Sequence, residues 1–96
     1  MYVLHMEHPV ADYTAWKQRG FDPDPLGRKA MGVKRYRIGR RSDEANHVMI
    51  ELEFETSEEA TRMAGALRKM WEGAQARGLI GSPTLSAFEI VEASEL

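Results

Sequence analysis

Apolar and polar positions alternate along the start of the chain. Tyr2, Leu4, Met6 and His8 fall on one side of an extended backbone and Val3, His5 and Glu7 on the other, the two-residue period of a half-buried strand. Pro9 suits the first turn of a helix, and Val10, Tyr13, Trp16 and Lys17 then recur at helical spacing until Gly20, which predicts a short first helix stopped by glycine. Residues 20–32, GFDPDPLGRKAMG, are broken by two prolines and read as a long ordered connection, with Asp24 placed to cap a brief helical turn over Leu26 to Ala30.

Two further strand patterns follow, Val33 to Arg40 and His47 to Phe54, separated by the turn-forming segment RSDEAN. They predict a hairpin. Thr56 and Glu59 form a T-x-x-E capping box, after which Ala60, Met63, Ala64, Leu67, Met70, Trp71 and Ala74 keep helical spacing for four turns. Arg77 suits the negative end of that helix, Gly78 ends it, and Thr84 to Val91 supplies a last strand.

Strand, helix, strand, strand, helix, strand is an α+β order that folds into a ferredoxin-like four-stranded antiparallel sheet with both helices on one face. Strand parity sorts the two faces. Val48, Ile50, Leu52 and Phe54, with Tyr36 and Ile38, meet the helices; His47, Met49, Glu51 and Glu53, with Arg35 and Arg37, face away. A hairpin register placing Arg35 across from Glu53 and Arg37 across from Glu51 matches each base with an acid, worth about 0.2 to 1 kcal/mol per pair, and His5 and Glu7 join them. Solvation of a free face would also accommodate such charges. The other reading is a dimer face comprising His5, Glu7, Arg35, Arg37, Met49, Glu51 and Glu53, where two sheets close into an α+β barrel and hide their edges.

Composition narrows the classes. The 96 residues, 43% hydrophobic, fit a single domain spanning 1–96, since such a chain buries roughly 65% of its unfolded surface. With a net charge of −2 and interspersed signs, the chain lacks the basic footprint of a nucleic-acid binder. The five basic residues of KRYRIGRR surround Tyr36, but Glu7, Glu51 and Glu53 on the open face would repel phosphate. The absence of cysteine removes disulfides, thiolate metal sites and cysteine nucleophiles. No apolar run approaches the roughly 20 residues of a membrane span, and no leader pattern opens the chain, so a cytoplasmic location is expected.

HPVADYTAWK, from His8 to Lys17, resembles the H-x-V-x-D-[YF]-x-x-W-K opening of small bacterial proteins in the dimeric alpha-beta barrel superfamily. RKAMGV, the N-x-V-x-I strand at Asn46 to Ile50, the Glu59-Ala60 pair and the closing GLIGSPTLSAFEIVE extend the resemblance over nearly the whole chain. That superfamily includes antibiotic biosynthesis monooxygenases, proteins loosely labelled cyclases and members without known activity. The resemblance implies the fold, a homodimer and a small-molecule pocket between sheet and helices. Some relatives oxidise aromatic polyketides without metal or flavin and others degrade haem. A haem site would want a histidine shortly after Trp71 to reach the iron, and none follows. No cofactor is therefore expected.

Candidate chemistry is sparse. His8 beside Asp12 offers an imidazole and a carboxylate for proton transfer, although helix capping also explains Asp12. Trp16, Tyr36 and Trp71, with the flexible Met63 and Met70, are expected to point between helices and sheet, either as core or as the wall of a site for a flat apolar ligand. His8 and Tyr36 are the catalytic candidates, and Trp16, Met63, Met70 and Trp71 the ligand-binding ones. No metal site is expected: His5 and His47 oppose His8 by parity, and Asp22 and Asp24 suit turn and cap roles. Two functions follow, a cofactor-independent monooxygenase- or cyclase-like enzyme acting on a small aromatic molecule, or a non-catalytic ligand-binding dimer.

Overall fold

A computed structural model describes all 96 residues. Strand β1 (Tyr2–Pro9) is followed by helix α1 (Tyr13–Trp16), which runs directly into a π turn, Lys17–Phe21. Strands β2 (Arg35–Arg41) and β3 (Glu44–Phe54), helix α2 (Ser57–Ala76) and strand β4 (Thr84–Glu89) complete the order. The sheet is four-stranded and antiparallel, in the order β2-β3-β1-β4. This is the ferredoxin-like α+β architecture that the alternation of strand and helix patterns predicts.

The first helix departs from expectation at both ends. Pro9 closes β1 opposite His47 instead of opening the helix, and Val10 bridges Ile80. Asp12 is the N-cap, accepting from the Ala15 amide at 2.9 Å. Gly20 does not stop the helix, because the wider π turn carries the backbone on to Phe21. Leu26 to Ala30 form linked turns rather than a helix: Asp24 adopts φ 53° and its carboxylate accepts from the Arg28 amide at 2.9 Å, which favours a tight turn over helical continuation.

β2 starts two residues later than predicted, since Val33 N–H bonds to Arg28 O within the connection. β3 starts three residues earlier, pairing Glu44 with Arg41 around Ser42-Asp43, with a register shift after Arg40. β4 ends at Glu89, short of Val91. The register sets Arg35 opposite Glu53 and Arg37 opposite Glu51, as the charge pattern requires.

α2 begins with its capping box complete, Glu59 N–H donating to Thr56 Oγ1 at 3.2 Å and Thr56 N–H to Glu59 Oε1 at 3.3 Å. It ends at the Arg77 cap before Gly78, whose φ of 71° suits glycine. Its apolar stripe of Ala60, Met63, Ala64, Leu67 and Trp71 packs with Leu4, Met6, Val48, Ile50, Leu52 and Phe54 of the central strands to form the core. No helix is long and apolar enough to cross a membrane.

Candidate active site

Two places concentrate chemistry, one on each face of the sheet. On the helix side a cavity of about 370 Å³ opens between β1, β3, α2 and the segment from Trp16 to Arg28, within the range of small-ligand sites. His8, Trp16, Met63, Met70 and Trp71 all line it. Strand parity puts His8 on this face and helical spacing aligns Met63, Met70 and Trp71.

Tyr36 is the exception. Its backbone pairs with Leu52 on the helix-facing side as parity requires, but the ring does not line the cavity and is 49% exposed. Phe21 stands between: its ring centroid is 5.6 Å from that of Trp16 and 5.1 Å from that of Tyr36. Because β2 is an edge strand, its inward side chains reach only the end of the core, and the connection fills the space between.

His8 is 2% exposed, the one polar member of the fully buried set. Its Nδ1 lies 3.1 Å from the Pro9 carbonyl oxygen. A carbonyl can only accept, so Nδ1 carries the proton and Nε2 presents a lone pair. Nε2 has no protein partner, and no fully buried side-chain polar atom in the chain lacks one, so Nε2 opens toward the cavity. Burial holds the pKa of His8 below the ordinary histidine value, keeping the imidazole neutral near pH 7. Trp16 and Trp71 flank it edge-on, at 5.8 and 6.2 Å between centroids. Asp12 is not its partner, since that carboxylate is engaged at the helix cap.

The connection builds a wall that strand parity and helical spacing do not reveal. Phe21, Pro23, Pro25 and Leu26 line the cavity, together with Arg19, Arg28 and Arg77. Apolar side chains spaced between the prolines were the available signal, because a solvated loop has little reason to carry them.

On the opposite face the expected residues form a continuous ladder. Arg37 Nε donates to Glu51, whose other carboxylate oxygen lies 2.8 Å from His5 Nδ1; His5 Nε2 is 2.9 Å from Glu7, and Glu7 in turn is 3.1 Å from His47 Nε2. Arg35 pairs with Glu53 at 3.4 Å. Both nitrogens of His5 face carboxylates, an arrangement in which both can donate only when the ring is protonated, so the site favours the imidazolium. The Glu7 and Glu51 hydrogen bonds raise its pKa, and the same bonds lower those of the two glutamates. Met49 shares this face, its methyl group lying over Gly39. Val3 and Phe88, cross-strand partners, add an apolar end, with Phe88 53% exposed. No group of three or more His, Asp or Glu side chains is arranged to hold a metal ion.

No protein-family model matches the chain, and no curated protein is significantly similar to it. Solved structures do match. A Deinococcus radiodurans protein described as a "putative antibiotic biosynthesis monooxygenase" superposes with a TM-score of 0.72 at 13% identity, covering 100% of this chain and 98% of that one. A dimeric ferredoxin-like protein from an uncultured marine organism gives 0.69 at 8% identity over 100% of both chains. A second such protein gives 0.68 at 12% identity over 97% of each. At these identities the likeness is one of fold, the ferredoxin-like α+β architecture described above.

Proposed function

We propose that the chain is a homodimeric α+β barrel protein whose helix-side cavity binds a small aromatic molecule, with His8 accepting a proton from it. Buried, neutral His8, with Nδ1–H committed to a backbone carbonyl and Nε2 unpartnered among aromatic walls, carries this reading. An acidic hydroxyl or activated C–H held near Nε2 would transfer its proton there, leaving an electron-rich anion in an apolar site. Such an anion is the starting point for both oxygenation by dioxygen and ring closure, the chemistry of a cofactor-independent monooxygenase- or cyclase-like enzyme. The described role of the Deinococcus radiodurans neighbour favours the same class by fold analogy. Dimeric fold neighbours and the charge-matched open face support pairing through the sheet.

With Tyr36 outside the cavity, His8 is the proton-transfer group that this reading assigns, and Tyr36 has no role in it. The one other acid–base side chain on the cavity wall, Asp24, is engaged by Arg28, which favours the alternative of a binding dimer without turnover. The test is a panel of polyhydroxylated aromatics incubated with the native protein and with His8→Gln, scored for dioxygen uptake and product mass. Turnover lost in His8→Gln while binding persists supports the enzyme. Turnover unchanged by the substitution overturns the role of His8, and binding without any turnover selects the alternative.

A further inference from the structure

The cavity wall is charged against the trend of the chain. The protein as a whole has 15 acidic and 13 basic residues apart from histidine, yet three arginines and a single carboxylate, Asp24, line this cavity. Asp24 is already occupied: it accepts from the Arg28 amide and sits 3.5 Å from the Arg28 guanidinium. Arg28 is occupied as well, donating to the Phe21 carbonyl at 3.0 Å and stacking 3.9 Å from the Phe21 ring centroid. Arg19, on the π turn, and Arg77, at the C-cap of α2, make no ion pair. They approach one apolar space from two different elements, leaving two uncommitted positive charges on its wall.

Resting on the cavity reading above, we propose that the ligand is an amphipathic anion, an aromatic body carrying a carboxylate, whose anionic group is held by Arg19 and Arg77 while the ring lies among Trp16, Met70 and Trp71. Guanidinium groups bind carboxylates through paired N–H donors, and a charge-assisted bond is roughly twice as strong as a neutral one. The body of such a ligand buries apolar surface, and its head remains where both arginines are exposed to solvent. The anchored head would also orient the molecule, so that the end away from the arginines meets the deeper cavity.

Calorimetric titration with 2-naphthoate and its neutral counterpart 2-naphthamide tests this on the native protein. The carboxylate is expected to bind about tenfold more tightly than the carboxamide, an advantage that shrinks as salt is raised. Arg19→Gln and Arg77→Gln are each expected to weaken 2-naphthoate about threefold to tenfold and leave 2-naphthamide within about twofold. Ala74→Leu, which narrows the cavity, should remove both. Equal affinity for the two probes, or equal losses in the arginine variants, overturns the anionic assignment and leaves the cavity reading standing. Binding of 2-naphthoate undiminished by Ala74→Leu places it elsewhere and overturns the proposal. Failure of both probes to bind the native protein overturns the proposal and the cavity reading together.

Discussion

His5 and Glu51 face each other across β1 and β3, with Nδ1 of the imidazole 2.8 Å from the carboxylate. Glu7 holds the other nitrogen, so the contact is strongest when His5 is charged and both glutamates are ionised. The raised pKa of His5 means its contribution is complete below the ordinary value of 6.5 and is lost as pH rises through the folded-state value. The lowered pKa values of Glu7 and Glu51 mean the same contacts are present above the ordinary 4.5 and are lost as pH falls through the folded-state values. Denaturant titrations should therefore show the gap between native protein and His5→Gln widest between about pH 4.5 and 6.5. A gap independent of pH would contradict the ladder.

His8 carries the opposite sign. Its pKa is lowered by burial, so its contribution is present above the ordinary 6.5 and is lost as pH falls through the folded-state value, the unfolded chain taking up the proton first. Between pH 7 and pH 5 the native protein should lose stability relative to His8→Phe, which cannot titrate. The Pro9 carbonyl keeps the Gly81 amide as a partner at 3.0 Å in that variant, so no acceptor is orphaned. Imidazole resonances followed by NMR should place the midpoint of His8 below that of His5. The reverse order would sink both assignments.

Tyr36→Phe should leave ligand binding and any turnover within about twofold, because Phe21 screens that ring from the cavity. Trp71→Ala should instead cost about 3 to 5 kcal/mol of stability in chemical denaturation, since Trp71 is 6% exposed within the core. A loss of binding in Tyr36→Phe would mean that the connection moves aside.

Gly32 has a φ of 100°, and a Cβ there would lie 2.2 Å from a carboxylate oxygen of Glu59. Gly32→Ala should therefore lower stability by more than about 1 kcal/mol, by backbone strain and by displacing the capping glutamate. Thr56→Ala should cost about 1 kcal/mol through the same cap. The double variant should lose less stability than the sum of the two single losses, because both act on Glu59; full additivity in a denaturation cycle would show them independent.

Phe88 lies on the open face at the apolar end of the sheet, in cross-strand register with Val3. If two such faces meet, Phe88→Asp places a charge in the contact and should shift the native dimer toward protomers in sedimentation velocity at micromolar concentration. A native protein that sediments as a protomer removes the barrel from the proposal.

Much of the architecture was legible because it is written in local period. The stripe from Ala60 to Ala74 determines both the helix and its buried side, and the Thr56–Glu59 box marks its start. Alternation in β1 and β3 assigned His8 to the helix side and His5, Glu7, Glu51 and Glu53 to the other, since one strand residue permits only one of two faces. Opposite charges on Arg35, Arg37, Glu51 and Glu53 were enough to select the hairpin register. Parity could not say how far an inward-facing side chain reaches. Tyr36 faces inward yet misses the cavity because β2 is an edge and Phe21 comes from a distant turn to occupy the space. Likewise the arrival of Arg19 and Arg77 at one cavity depends on how a π turn and a helix end pack in three dimensions. Local sequence sets the period and the side; long-range packing alone sets the distances on which the chemistry depends.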